Sequence, residues 1–131
     1  MEGLEVTEVV MADRLHYARL FTELWQSGEG FILVEHDVVP WPGAIAQLEA
    51  CEHECCAFEY PSGGSWCRSL GCIKFSDSLV QRIPYDVQWQ NRAWDELDGG
   101  VFATLQGEVE MHIHQPPVAH VKARTLILRS P

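Results

Sequence analysis

The chain has 131 residues, of which 47% are hydrophobic and 10% aromatic, and its formal net charge is −10. This length and composition indicate one globular domain over residues 1–131 and exclude a disordered chain. The negative charge, with only nine scattered Lys and Arg, argues against binding to nucleic acid or an anionic membrane. No segment reaches the roughly 18 apolar residues that a membrane span needs.

The start of the chain and its cysteines predict the cellular compartment. Residues 1–5 are acidic and lack the basic-then-apolar pattern of a secretory signal. The chain has five cysteines, and an odd number without a signal peptide favours free thiols. We therefore expect a cytoplasmic protein with reduced cysteines.

Hydrophobic periodicity predicts alternating strands and helices in the first part of the chain. Residues 5–11 have the β-branched character of a short strand, and Asp13 caps a predicted helix that runs to about residue 27. Phe31-Ile32-Leu33-Val34 is a continuous apolar run, which is typical of a strand buried on both faces. A second helix is predicted over residues 43–51.

Residues 55–71 contain Pro, Gly and Ser at their centre and predict a loop, and residues 85–93 show no clear period. The other predicted elements are a strand over 72–75, helices over 77–82 and 94–105, a strand over 109–114, and a last strand or oligomer contact over 125–128. This order predicts an α/β domain with a mainly parallel or mixed sheet.

The triplet Glu35-His36-Asp37 follows the apolar run directly. Ligands of open α/β sheets bind beyond the carboxyl ends of the strands. Two carboxylates one residue apart at such a turn can converge on Mg²⁺ or Mn²⁺. Alternatively, they simply end the strand at a solvated turn.

Histidines are concentrated near the carboxyl terminus. His112 and His114 are two residues apart, so a strand places them on one face, where they can form a metal pair or line a polar surface. His120 follows Pro116-Pro117 and is our first choice as a ligand.

Two further groups admit both a structural and a functional interpretation. Asp95, Glu96 and Asp98 begin a predicted helix, where they stabilise its dipole or supply a general base. The cysteines can hold a structural zinc, but the chain has no C-x-x-C pair, so buried free thiols are the favoured interpretation.

In this order, the segments resemble the second half of a GT-A glycosyltransferase domain, with a DXD-like acidic motif. The resemblance covers residues 12–121. The segments that carry it are Tyr17 to Leu20, Gly30 to Asp37, Pro40 to Ile45, Asp95 to Asp98, Gly107, and His112 to His120. Small glycosyltransferase-like proteins of bacteria and phages are similar in the segments Val34 to Pro40, Cys56 to Pro61, Ser69 to Ser76, Trp94 to Asp98, and His112 to Pro116.

The resemblance implies a trimmed, Rossmann-like three-layer domain that transfers a sugar, with inversion, from a nucleotide-sugar donor to a glycan or protein hydroxyl. It implies that Glu35 and Asp37 hold Mn²⁺ or Mg²⁺ on the donor diphosphate and that His120 completes the shell. Its catalytic base would come from the acidic helix start, as Asp98 or Glu96 beside Asp95. The residues implied to contact substrate are His36, Trp66, Leu70, Gly71, Trp94, His112 and His114.

Only 34 residues precede Glu35, so the family's first βαβ unit, which cradles the base and ribose, is expected to be almost absent. A reduced surface or a partner would then hold the nucleotide, and the apolar residues 126–128 make a homodimer plausible. Two alternatives remain. One is a noncatalytic module of the same fold that binds a glycan or nucleotide. The other is a small zinc-stabilised interaction protein held by Cys51, Cys55, Cys67 and Cys72.

Overall fold

The computed structural model describes residues 15–62, 64–67, 70–92 and 96–121. The helices are α1 (His16–Gln26), α2 (Ala44–Ala50), α3 (Asp77–Arg82) and α4 (Leu97–Leu105), with a 3-10 helix over Val87–Asn91. The strands are β1 (Phe31–Val34), β2 (Val38–Val39), β3 (Cys55–Phe58), β4 (Tyr60–Ser62), β5 (Ser65–Cys67), β6 (Cys72–Phe75), β7 (Met111–His114) and β8 (Ala119–His120). The predicted strand over 5–11, the cap at Asp13 and the apolar tail lie outside the described residues.

Strands β1, β6, β3 and β7 form a four-stranded sheet in that order. Strand β6 runs antiparallel to both of its neighbours, whereas β3 and β7 are parallel. Strands β1, β3 and β7 therefore point the same way, and their carboxyl ends share one edge, which we call the carboxyl edge. The prediction of a mixed sheet is confirmed, although most of its strand pairs are antiparallel.

Strand β3 lies inside the sheet, where we predicted a loop over residues 55–71. All four of its residues are buried, because it has a partner strand on each side and packed side chains on each face. The turn-forming residues of this segment lie beyond it, in the hairpin of β4 and β5. The loop prediction was wrong because these signals obscured a four-residue apolar run.

Strand β1 is an edge strand of the described sheet and pairs only with β6. Phe31, Ile32 and Leu33 are half-buried, and Val34 keeps 40% of its surface exposed. The prediction that this strand is buried on both faces was therefore wrong. Its apolar side chains instead pack at the edges of the hydrophobic clusters on the two faces of the sheet.

Two hydrophobic clusters occupy opposite faces of the sheet, as the alternation along β3 shows. Cys55 and Ala57 belong to the first cluster, whereas Cys56 and Phe58 belong to the second. Helices α1, α3 and α4 cover the first face, and α2 covers the second. The chain is thus a mixed α/β domain with helices on both faces of its sheet.

Aromatic rings fill the centre of the first cluster. Phe21 and Trp25 of α1 pack against Phe75 of β6 and Trp89 of the 3-10 helix, with ring centroids 5.2–5.8 Å apart. The buried indole N–H of Trp25 donates to the carbonyl O of Ile83 at 2.7 Å. These contacts hold α1 firmly against the sheet, which matters because α1 also carries a site residue.

Most predicted helices are present with small changes at their ends. Helix α3 begins as predicted because the Ser76 hydroxyl accepts a hydrogen bond from the Leu79 N–H. Helix α4 is described from Leu97 onward, and the segment over 85–93 contains the 3-10 helix. None of the helices in the described ranges combines the length and the apolar character needed to cross a membrane.

Gly30 allows β1 to approach the start of α3, and we predict that it tolerates no side chain. Its N–H donates to Asp77 Oδ1 at 2.6 Å, and an added Cβ would lie 2.6 Å from the carbonyl O of Phe75. Because these are backbone atoms, Gly30→Ala should lower the free energy of unfolding by about 2–3 kcal/mol, measured by urea titration.

Gly99→Ala is the matched control, since a Cβ on this exposed helical residue meets nothing within 4 Å. Replacing a helical glycine should raise the free energy of unfolding by about 0.5–1 kcal/mol. Equal stability of the two variants would contradict the packing of β1 against α3.

Candidate functional site

The predicted acidic triplet forms the turn at the carboxyl end of β1. The N–H of Val38 donates to the carbonyl O of Glu35 at 3.0 Å, which closes the turn before β2 begins. The N–H of Glu35 donates to the carbonyl O of Gly71 at 2.9 Å and so ties the turn to the start of β6. Glu35 and Asp37 therefore lie at the carboxyl edge, as predicted.

Residues 115–118 bring the chain back across this edge after β7. The indole N–H of Trp41 donates to the carbonyl O of Pro116 at 2.9 Å, and the N–H of Val118 donates to the carbonyl O of Glu59 at 3.2 Å. Strand β8 then pairs with β2 and sets His120 opposite Val38. This path carries His120 from the far side of the sheet to the triplet.

His120 contacts Asp37 directly. Its Nε2 lies 3.0 Å from Asp37 Oδ2, and the N–H of Val121 donates to the carbonyl O of Asp37 at 2.6 Å. The ring of Tyr60 lies beside the imidazole, with centroids 5.3 Å apart. Two of the predicted metal ligands, 83 residues apart in the chain, thus lie side by side.

Tyr17 is a site residue that the sequence analysis missed. It is 8% exposed, and its hydroxyl donates to Glu35 Oε2 at 2.8 Å. No role was predicted for it from the sequence. The available signal was its hydroxyl, because a buried tyrosine usually has a hydrogen-bond partner.

Asp98, in the first turn of α4, completes the group. Its Oδ2 accepts a hydrogen bond from the Leu70 N–H at 3.4 Å, and its charge raises the pKa of both Glu35 and Tyr17. The members of this group, here called the edge cluster, are Tyr17, Glu35, Asp37, Asp98 and His120. The other predicted acids differ, since Glu96 is exposed and Asp95 lies outside the described residues.

The edge cluster carries an excess of acidic groups. The pKa of Glu35 is raised to about 7, and burial is the largest cause. The hydrogen bond from Tyr17 and the nearby His120 lower this pKa. The charges of Asp98 and Asp37 raise it. Burial and the neighbouring Glu35 raise the pKa of Tyr17, so its hydroxyl remains a neutral donor. A cation at this position would relieve the repulsion among the carboxylates.

Of the other residues that were predicted to contact substrate, some lie at the carboxyl edge and some do not. Leu70 and Gly71 lie at the edge, and a Cβ on Gly71 would overlap the Tyr60 ring. His36 is exposed on the turn, and Trp66 on β5 is 61% exposed. Trp94 lies outside the described residues.

His112 and His114 share one face of β7, as their spacing predicts, but they do not join His120. Their ring centroids are 4.7 Å apart, and His112 stacks on His53 at 4.1 Å. The ring nitrogen of His114 lies within 4.8 Å of the sulfurs of Cys51 and Cys56. The histidines of the carboxyl terminus therefore belong to two separate clusters.

The expectation that all five cysteines are free thiols was wrong, because Cys51 and Cys56 form a disulfide. Cys55 and Cys72 are buried free thiols, as expected. The alternative zinc set of Cys51, Cys55, Cys67 and Cys72 is not formed. Cys55 and Cys72 lie on opposite faces of the sheet, and Cys51 is paired with Cys56.

The carboxylate oxygens and the imidazole nitrogen of the edge cluster, taken one from each residue, do not form a group of three or more atoms within 4.8 Å of one another. Among the described residues, the group of Cys, His, Asp or Glu ligand atoms that lie within 4.8 Å of one another is Cys51, Cys56 and His114. In the edge cluster, Asp37 and His120 instead contact each other. The metal set Glu35, Asp37 and His120 remains a prediction.

Two surface cavities lie away from the edge cluster. One of about 460 Å³ is lined by apolar residues of α4 and β7, including Phe102 and Met111. Another of about 610 Å³ is lined by His53, Glu54 and Glu110. The candidate site is therefore identified by converging polar groups, not by the shape of a cavity.

Comparison of the chain with known protein families, curated proteins and solved structures finds no match. The resemblance to GT-A glycosyltransferases remains a prediction from the sequence. Inference about function therefore depends on the geometry and charges of the edge cluster.

Glu35 should make the stability of the protein depend on pH. Folding raises its pKa from 4.5 to about 7, so the folded state favours the protonated carboxyl. The stability that the protonated Glu35 carboxyl contributes is fully present below its unfolded pKa of 4.5, and it is lost as the pH rises through about 7. At about pH 8, Glu35→Gln should therefore be more stable than the wild type by on the order of 2–3 kcal/mol.

Urea unfolding of both proteins at several pH values measures this difference, which should vanish near about pH 4. Tyr17→Phe removes the hydrogen bond that lowers the pKa of Glu35, so this pKa should rise further. The variant should therefore continue to lose stability up to a higher pH than the wild type does. A constant difference between wild type and Glu35→Gln at every pH would contradict the burial of Glu35.

Proposed function

We propose that this protein is a metal-dependent inverting glycosyltransferase, which moves a sugar from a nucleotide-sugar donor to a glycan or protein hydroxyl. The observation that carries the proposal is the convergence of Glu35, Asp37, Asp98 and His120 at the carboxyl edge. These residues come from three separate parts of the chain. Such an edge is where open α/β sheets bind their ligands. A trimmed GT-A fold agrees with helices on both faces of a mixed sheet.

The residues present fit a divalent cation. Two carboxylates and an imidazole suit Mn²⁺, and the carboxylates alone suit Mg²⁺. Glu35 and Asp37 would hold the ion, with His120 as a third ligand. When bound, the ion supplies positive charge that stabilises the departing diphosphate. Its charge would also lower the pKa of Glu35 and keep that ligand ionised.

Asp98 is the residue that we assign as the general base. It takes the proton from the acceptor hydroxyl while that oxygen bonds to the anomeric carbon and the bond from carbon to diphosphate breaks. The Leu70 N–H holds one oxygen of Asp98, and Tyr17 orients Glu35. Asp98 is preferred to Glu96 because its charge acts on the buried members of the cluster.

Trp66 is the residue that we assign to sugar stacking. Its strand β5 pairs with β4, and β4 packs beside β8, which carries His120. The exposed indole offers a flat apolar face of the kind that stacks on pyranose rings. The proposal retains the cytoplasmic location and the homodimer expected from the sequence, and it excludes a nucleic-acid partner.

Asp37→Asn tests the assignment of the metal ligands. In a thermal-shift panel of UDP-, GDP-, CMP- and dTDP-sugars, one donor should stabilise the wild type only with Mn²⁺ present. The variant should bind that donor at least about tenfold more weakly, because it loses a charged ligand. Glu52→Gln, at an exposed acid elsewhere, is the matched control and should bind normally. Unchanged binding by Asp37→Asn would refute the assignment.

Asp98→Asn separates binding from catalysis in the same proposal. It should bind the donor and Mn²⁺ normally but release nucleoside diphosphate on the order of 100- to 10,000-fold more slowly. Binding by the wild type without any release would instead identify a noncatalytic glycan- or nucleotide-binding module.

A further inference from the structure

A second group of potential metal ligands lies apart from the edge cluster. Cys51 at the end of α2, Cys56 in β3 and His114 at the end of β7 place two sulfurs and a ring nitrogen within 4.8 Å of one another. We call this group the thiol–imidazole cluster. It shares no residue with the edge cluster. It lies on the face of the sheet that α2 covers, and Phe58 is next to His114 there.

Secondary structure holds these three residues in place. Parallel pairing sets Cys56 opposite His112 and Phe58 opposite His114, which aligns the ends of β3 and β7. The ammonium group of Lys74 donates to the carbonyl O of Cys51 at 2.7 Å and to that of Glu49 at 3.2 Å. These bonds fix the end of α2, which carries Cys51.

His114 has the properties of an unused ligand. Its Nε2 is buried, and no hydrogen-bond partner for it is present among the described residues. A buried polar atom without a partner costs free energy, which a bound ion would recover. Burial lowers the pKa of His114, as do the neighbouring His112, His53 and Lys74, so the imidazole is neutral and able to coordinate.

We propose that the reduced thiol–imidazole cluster binds one zinc ion through Cys51, Cys56 and His114, and that formation of the Cys51–Cys56 disulfide excludes it. Two thiolates and one imidazole are preferred zinc ligands, and solvent takes the fourth position. The adjacent rings of His112 and His53 are exposed, which indicates that this side of the cluster is open. The site is independent of the proposed glycosyl transfer.

The chemical steps balance with a dithiol as the reductant. It transfers two electrons and two protons to the Cys51–Cys56 disulfide and itself becomes a disulfide. Zinc then displaces the two thiol protons. In the reduced state, Cys56 Sγ has an acceptor for its proton, since it lies 3.4 Å from the carbonyl O of His53. Oxidation by a disulfide compound reverses the sequence and releases the ion.

Titration of the full chain with Co²⁺ and Zn²⁺ tests this proposal. After reduction with a trialkylphosphine, Co²⁺ should give a sulfur-to-metal charge-transfer band that saturates at one ion per chain, and Zn²⁺ should displace it. The oxidised protein should give no such band. His114→Gln should weaken Zn²⁺ binding by at least about tenfold, and Cys56→Ser should remove the band. Cys67→Ser, outside the cluster, should bind normally.

Alkylation of the wild type keeps the test independent of variants that fail to fold. Zn²⁺ should protect Cys51 and Cys56 of the reduced protein from an alkylating reagent, while Cys67 reacts at its usual rate. Equal labelling of Cys51 with and without Zn²⁺ would overturn the proposal. Full Zn²⁺ affinity in His114→Gln would overturn the assignment of the histidine.

Discussion

The pairing of β3 with β6 and β7 determines which strand ends share the carboxyl edge. Because β3 runs antiparallel to β6 and parallel to β7, the ends of β1, β3 and β7 meet at one edge, and β6 begins there. Residues 115–118 must then cross this edge to reach β2. That crossing, fixed by the indole of Trp41, delivers His120 to Asp37.

The edge cluster also shows a conflict between folding and function. Glu35 is half-buried near Asp37 and Asp98, and desolvation together with these charges raises its pKa and opposes its ionisation. The hydrogen bond from Tyr17 only partly offsets this effect. A group of carboxylates that destabilises the folded chain but suits a divalent cation is characteristic of a binding site. The same group would be difficult to explain as a purely structural feature of the turn.

Local signals in the sequence were sufficient for the parts of the fold that depend on neighbours in the chain. The apolar run over 31–34 located β1, and α3 was predicted over the residues where the structure has it, 77–82. The placement of Glu35 and Asp37 at a strand end followed from the same run. Strand β3 was missed because its four apolar residues show no alternation and adjoin a segment rich in turn-forming residues.

Long-range contacts account for what the sequence could not provide. Tyr17 resembles any core aromatic of a helix until α1 is packed against the sheet and its hydroxyl meets Glu35. His120 was singled out from the sequence, but its contact with Asp37 requires the crossing over 115–118. Pairs of this kind arise from topology and carry no local pattern.

Paramagnetic broadening by Mn²⁺ tests most directly whether the edge cluster binds a divalent cation. In a nuclear magnetic resonance titration of the full chain, substoichiometric Mn²⁺ should first broaden the resonances of Glu35, Asp37 and His120. Glu35→Gln should abolish this selective effect. Broadening that begins at exposed acids such as Glu49 and Glu52, or that spreads evenly over the acidic surface, would contradict the account.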